Sequence, residues 1–325
     1  MAKSGESGGG SDGGTKKAVY AALTANFLIT ISKFIAGFIT GSAGLLAEGA
    51  HSVADTVNQV FLLVSLRSSK SKPDRAHPYG YGKDRFFWSL IVAVGLFVAG
   101  AVFSFYEGVS KILEGSSGES TSFLVGYVVL GVSFIFEGAS LVITAREFNK
   151  AAQEGNRSFR EHFKTTRNTT MKVPLYEDTA ALVGLLIAFA GLLLSQLTGS
   201  HAFDGIASIS IGLVLVFVAY SLGRDSRALL LGEAVPPEDE KRLRAAITGF
   251  EEVNDIVRLL TMHLGPDSVL VNAEIHVADG MDTDQIEDLV SRITQEIGNQ
   301  MPDVTQTFLE LHSPHQEGQP TPKSD

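Results

Sequence analysis

The chain has 325 residues, of which 45% are hydrophobic and 19% are charged, and its formal net charge is −10. It contains no cysteine, which excludes structural disulfides and thiolate metal sites. Its apolar residues are gathered in runs of about 20, the length that crosses a bilayer as a helix, so the sequence predicts a membrane protein rather than an acidic soluble one.

Six apolar runs predict a bundle of six transmembrane helices. The runs are Ala18–Ile39, Ala43–Leu66, Phe86–Tyr106, Ser122–Ala145, Val173–Leu197 and Phe203–Leu222. Residues 1–16, rich in glycine and serine, are predicted to be a disordered cytoplasmic tail. The membrane domain is expected to occupy residues 17–225.

Lysine and arginine are concentrated in two of the segments that connect the predicted helices. These segments contain Arg67, Lys70, Lys72, Arg75, Lys83 and Arg85, and then Arg146, Lys150, Arg157, Arg160, Lys164, Arg167 and Lys172. The segments on the opposite side hold only Lys111. Because lysine and arginine accumulate on the cytoplasmic side, both termini are predicted to be cytoplasmic in a multi-pass protein of the inner (plasma) membrane.

The second predicted helix carries an unusual polar stripe within the stretch LLAEGAHSVADTVNQ. Glu48, His51, Asp55, Asn58 and Gln59 share one broad helix face. Ionisable residues deep in a membrane cost several kcal/mol unless they are paired, hydrated or bound to metal, and so indicate a functional site. The alternative is that His51 and Asp55 only pair to hold helices together.

The fifth predicted helix carries a second acidic cluster in the stretch VPLYEDTAALVG. Glu177 and Asp178 lie near the start of this helix, where acids commonly stabilise the helix dipole. The functional hypothesis places Asp178 opposite His51 and Asp55, with Glu177 or water as a fourth ligand. One imidazole and several carboxylates suit Zn²⁺, Mn²⁺, Fe²⁺ or Co²⁺.

Two further charges lie within the predicted membrane helices, Lys33 in the first and Glu137 in the fourth. We interpret them mainly as an ion pair, with a supporting or proton-carrying role for Glu137 as the alternative. Glu48, Asn58 and Gln59 are interpreted as the lining of a hydrated path. His201 and Asp204, just ahead of the sixth run, are interpreted as a solvated pair on the outer side.

Residues 226–315 are predicted to form a small cytoplasmic α+β domain. Helix, strand, strand, helix and strand are expected at Glu240–Ile247, Asp255–Met262, Ser268–Val277, Thr283–Ile297 and Val304–Leu311. This αββαβ order suits a ferredoxin-like arrangement with both helices on one face of a sheet. Residues 316–325 are expected to be a second disordered tail.

Several of these stretches resemble the cation diffusion facilitator family. SAGLLAEGAHSVADTVNQ is similar to the family's second transmembrane helix, and HPYGYGKDR at residues 77–85 is similar to its characteristic cytoplasmic loop. The resemblance runs from about Lys17 to Pro314 and includes the six-helix topology and the αββαβ domain. Within the family, the chain looks most like the branch that contains zinc transporter 9.

The resemblance implies a homodimer in the lipid bilayer that exports divalent metal in exchange for protons. It also implies no prosthetic group, no nucleic-acid partner, and Zn²⁺ as the preferred transported metal. The family takes two metal ligands from each of two helices, which fall here on His51 and Asp55 and on Pro174 and Asp178. Proline has no donor atom, so Glu177 becomes the replacement ligand and water the alternative.

Other functions remain open at this point. The same fold could export Mn²⁺, Fe²⁺ or Co²⁺, because the site has one histidine fewer than the family pattern and more oxygen donors. A different class of function is an intramembrane metalloenzyme that uses these ligands to activate water. Another is a metal-sensing membrane subunit that transports nothing.

Overall fold

A computed structural model describes residues 11–69, 71–114, 123–154, 157–166 and 169–312. Its helices and strands, in chain order, are α1 Ser11–Thr40, α2 Ala43–Ser68, α3 Asp84–Ile91, a π-helical turn Val92–Phe97, α4 Val98–Glu114, α5 Phe123–Glu154, α6 Phe159–Thr165, α7 Thr169–Thr198, α8 Ala202–Leu231, α9 Pro237–Thr248, β1 Val253–Gly265, β2 Ser268–Val277, α10 Thr283–Gln300 and β3 Val304–Leu311. The predicted class, a helical membrane domain followed by a small αββαβ domain, is confirmed.

The long helices are consistent with the six predicted spans, and most of them extend beyond the predicted bounds. Within the described residues, four stretches are long and apolar enough to cross a membrane: 84–113, 123–154, 172–198 and 202–231. The first helix contributes a shorter apolar stretch, Asn26–Thr40. The remaining predicted span is α2, whose 26 residues include the polar stripe.

The third span is longer than predicted and is not uniformly α-helical. It combines α3, the π-helical turn and α4, and it ends at Glu114 rather than at Tyr106. A π-helical turn inserts an extra residue into the helical repeat, which no hydropathy pattern reveals, and such turns occur frequently at functional sites.

The helix α6 was not predicted. It lies in the basic segment between α5 and α7, and its first turn is capped by Ser158, whose hydroxyl accepts a hydrogen bond from Glu161 N at 3.3 Å. At seven residues it is too short to show a clear hydrophobic period.

Close backbone contact joins α4 to α8. A Cβ atom placed on Gly108 would lie 2.6 Å from the carbonyl oxygen of Gly205, and one placed on Gly205 would lie 2.6 Å from that of Gly108. Small residues let transmembrane helices approach closely and make many van der Waals contacts. These contacts stabilise the helix pair, because the hydrophobic effect does not drive association between helices in lipid.

The described residues form two compact units. One falls within residues 1–67 and 87–226, and the other within residues 68–86 and 227–325. Of the predicted tails, residues 1–10 and 316–325 lie outside the described residues, and α1 begins at Ser11, ahead of the predicted domain start at residue 17.

The C-terminal unit contains the predicted αββαβ domain. Its sheet has the strand order β1-β2-β3, with β1 and β2 antiparallel and β2 and β3 parallel. Alternate residues of β2 are buried against α10, whose apolar face presents Leu289, Ile293 and Ile297. Asp282 and Gln285 form a capping box that fixes the start of α10.

The loop that follows α2 belongs to this C-terminal unit. Asp74 accepts hydrogen bonds from the backbone of His77 at 2.7 Å and from the Tyr81 hydroxyl at 2.8 Å, and the Tyr81 contact is the main reason that the pKa of Asp74 is lowered. Lys83 donates to the carbonyl oxygen of Leu230 at 3.5 Å. The HPYGYGKDR stretch therefore serves to shape this loop and to hold it against the end of α8.

The Gly108–Gly205 contact yields a prediction about stability. Gly108→Ala should lower the free energy of unfolding in detergent by about 1–3 kcal/mol, because the added methyl group forces α4 away from α8. Gly131→Ala in α5 is the matched control, since a Cβ there meets no atom within 4 Å. It should leave stability unchanged or raise it by up to about 1 kcal/mol. Equal thermal unfolding of the two variants would contradict the contact.

Candidate metal site

The start of α2 is fixed by a carboxylate from α8. Asp204 accepts hydrogen bonds from the Ser42 hydroxyl at 2.6 Å and from the backbone N–H groups of Ala43 at 2.5 Å and Gly44 at 3.3 Å. The Ser42 oxygen in turn accepts from the N–H of Leu45 at 3.2 Å. The interpretation of Asp204 as a solvated residue is wrong, because it is buried and accepts hydrogen bonds from the backbone N–H groups at the start of α2.

The polar stripe of α2 is buried within the bundle. Glu48, His51, Asp55 and Asn58 are all buried, and the Nε2 atom of His51 lies 3.7 Å from Oδ2 of Asp55. The Oδ1 atom of Asp55 is buried and has no hydrogen-bond partner among the described residues. The side chain of Gln59 lies outside the described part of the chain.

The acidic cluster lies in the interior of α7 rather than at its start. Because α7 begins at Thr169, Glu177 and Asp178 are two full turns along the helix, and stabilisation of a helix terminus does not explain them. Pro174 is contained within the same helix. Glu177 accepts a hydrogen bond from the side-chain amide of Asn58 on α2, which links the two acidic stretches directly.

A polar cavity of about 30 Å³ brings the two stretches together. Its lining is formed by Asn26, Ser52, Asp55, Glu137, Ser140, Glu177 and Asp178. Asp55 therefore faces both Glu177 and Asp178 across the bundle, and His51 contacts Asp55 one turn earlier on α2. Among the described residues, no three His, Cys, Asp or Glu side chains already have the mutual geometry of a bound metal.

Hydroxyl groups from α5 hold Asp178 in position. The hydroxyl of Ser140 lies 3.1 Å from both carboxylate oxygens of Asp178, and the hydroxyl of Thr144 donates to Oδ2 at 2.9 Å. Sequence reasoning did not identify these two residues. They are four residues apart and therefore lie on the same face of α5. This spacing indicates a role for them only once Asp178 is known to face α5.

Lys33 lies beside this cavity and contacts more groups than the predicted ion pair. Its ammonium group is completely buried and lies 3.2 Å from Oε2 of Glu48, 3.8 Å from Oε1 of Glu137 and 2.7 Å from the hydroxyl oxygen of Ser52. Glu48 fits between α2 and α7 only because residue 184 is glycine, since a Cβ there would overlap its Oε1 atom.

Comparison with protein families agrees with this arrangement. Residues 19–231 match the model of the cation efflux transmembrane domain, and residues 235–311 match the model of the cation efflux protein cytoplasmic domain. The chain belongs to the cation efflux family. This confirms the resemblance to the cation diffusion facilitators, and members of this family are transporters rather than enzymes.

Individual cation efflux relatives differ in the metal that their names give. The chain is 35% identical to metal tolerance protein C4 of Arabidopsis thaliana over 80% of this chain and 57% of that protein. It is 34% identical to the human mitochondrial proton-coupled zinc antiporter SLC30A9, over 81% of this chain and 46% of that protein. It is 24% identical to the manganese efflux system protein MneP of Bacillus subtilis, over 92% of this chain and 96% of that protein.

The chain therefore spans about half the length of the plant and human relatives, and nearly the whole of the bacterial one. The cation efflux assignment rests on the transmembrane match, which includes every residue of the cavity.

The position of Asp204 leads to a prediction about α2. Asp204→Ala should lower the free energy of unfolding by about 1–3 kcal/mol, because buried backbone amides lose their acceptor. Asp225→Ala is a matched control on the same helix, where Asp225 makes a partly exposed ion pair with Lys172 at 3.3 Å. That change should cost at most about 1 kcal/mol. Thermal unfolding of the purified variants measures both, and a smaller loss for Asp204→Ala than for Asp225→Ala would contradict the capping role.

Proposed function

We propose that the protein is a metal/proton antiporter that exports a divalent cation, with Zn²⁺ as the preferred substrate, from the cytoplasm. The observation that carries this proposal is the cavity in which Asp55 of α2 faces Glu177 and Asp178 of α7. The names of the relatives, a proton-coupled zinc antiporter and a manganese efflux protein, support the reaction class and leave both metals as alternatives.

In this proposal, His51, Asp55 and Asp178 bind the metal, and Glu177 takes the fourth position in place of Pro174. One nitrogen and three oxygen donors fit the four-coordinate preference of Zn²⁺. The contacts around the carboxylates support these roles, because Asn58 holds Glu177 while Ser140 and Thr144 hold Asp178. Such outer hydrogen bonds commonly orient metal ligands.

Proton coupling follows from the charge of these ligands. Asp55, Glu177 and Asp178 carry three negative charges when they are all ionised, in a site largely screened from water. Like charges at short distance favour proton uptake when no metal is bound. A divalent cation needs deprotonated ligands, so its binding expels protons. Exposing this one site alternately to the two sides would exchange metal for protons.

Membership of the family also supports a homodimer and a multi-pass location. We propose that two copies assemble in the inner (plasma) membrane with both termini in the cytoplasm. The name of the human relative places that protein in mitochondria, so an internal membrane is the alternative. Microscopy of a tagged chain in its own cells decides between the two locations.

The first prediction concerns transport by the reconstituted protein. In proteoliposomes with a proton gradient, the wild type should move Zn²⁺ and produce an opposite proton flux. Asp55→Asn and Asp178→Asn should each abolish both, because each removes a charged ligand. Asp225→Asn is a control outside the cavity and should retain flux. Normal transport by either cavity variant would show that the site is wrongly assigned. Metal binding without flux in the wild type would favour a sensing subunit.

The second prediction concerns the fourth ligand. Glu177→Gln should weaken Zn²⁺ binding in titration calorimetry by more than the roughly 10–100-fold that loss of a ligand's outer hydrogen bond costs, because the amide is a much poorer ligand than the carboxylate. Asn58→Ala, which keeps the Glu177 carboxylate and removes its hydrogen bond, should have a smaller effect. Unchanged affinity in Glu177→Gln would assign the fourth position to water.

A further inference from the structure

We infer that Lys33 determines which metal the site selects, by keeping Glu137 from acting as a ligand. This inference rests on the proposed function. Glu137 lines the cavity together with Asp55, Glu177 and Asp178, so its carboxylate is a further oxygen donor at the same cavity. Its Oε1 atom is 3.8 Å from the Lys33 ammonium group, which competes for it.

The position of Lys33 suits this role because it lies beside the cavity without lining it. The ammonium group is fully buried and donates to the hydroxyl of Ser52, which does line the cavity. Its second carboxylate partner, Glu48, lies outside the lining and is held between α2 and α7 at Gly184. Lys33 thus has one carboxylate partner within the cavity and one beyond it.

The metal preference follows from the donor set. With Glu137 paired to Lys33, the site offers one imidazole and three carboxylates, which suits Zn²⁺ in four-coordination. Without the ammonium group, Glu137 would lose its nearest cation in a buried cavity, and its carboxylate would be released to coordinate a bound metal. An additional oxygen ligand favours cations of higher coordination number that prefer carboxylates, such as Mn²⁺.

The test is the ratio of Mn²⁺ to Zn²⁺ flux in proteoliposomes. Lys33→Gln should raise this ratio by about tenfold, the lower end of the change in metal affinity that substitutions around a metal site produce. The double variant Lys33→Gln with Glu137→Gln should return the ratio to the wild-type value. The matched control, Lys33→Gln with Glu48→Gln, should keep the raised ratio, because Glu48 does not line the cavity.

A purely structural role for Lys33 gives different results. It would reduce the flux of both metals equally and leave their ratio unchanged, which would overturn the inference.

If Lys33→Gln does not fold, Glu137→Gln alone provides the test. Its ratio should equal that of the wild type, since a carboxylate held by Lys33 is not a ligand, and a lowered ratio would contradict this. A wild type that moves neither metal contradicts the proposed function, whereas wild-type flux with an unchanged ratio in Lys33→Gln contradicts only the role of Lys33.

Discussion

The burial of several carboxylates at one level of an apolar helix bundle is the constraint on which the rest of the membrane domain depends. Asp55 on α2 and Glu177 on α7 are buried, and Asp178 is partly buried beside them. Each charge in such a place requires a hydrogen bond, a counter-charge, a proton or a metal. Asn58 and the hydroxyls of α5 supply the first, and Lys33 supplies a counter-charge to neighbouring Glu48 and Glu137. The remaining carboxylate charge can be balanced by protons or by metal, which is the basis of the exchange that we propose.

The helices that carry these groups are positioned by contacts some distance from the cavity. Asp204 holds the start of α2, two turns before His51, against α8. The close contact of Gly108 with Gly205 holds α8, and with it Asp204, against α4. A substitution at either place can therefore disturb the cavity without touching it. This connection also means that stability must be measured together with transport before a loss of flux is assigned to a ligand.

Sequence patterns predicted the fold in most of its parts because they depend on local chemistry. The apolar runs located the long helices, and the alternation in β2 gave its bounds without error. The HxxxD spacing on α2 was visible because both residues lie on the same helix. What the sequence did not reveal were contacts between distant residues. Asp204 contacts Ser42 across 162 positions, and Ser140 contacts Asp178 across 38. The hydrophobic period of one helix does not indicate such pairs, because the two residues of each pair lie on different segments of the chain.

In the proposed site, the departure at Pro174 changes the charge as well as the set of ligands. If Glu177 serves where the family pattern has a neutral imidazole, the ligand set gains one negative charge. A site with three carboxylates and one imidazole holds a net charge of −1 around a divalent cation, whereas two carboxylates and two imidazoles leave it neutral. The extra charge must be balanced by a retained proton or by a nearby cation. Lys33 is already partnered by Glu48 and Glu137 and therefore contributes little. A proton retained on, or exchanged at, Glu177 then becomes the natural balance, which ties the unusual proline to the coupling of metal with protons.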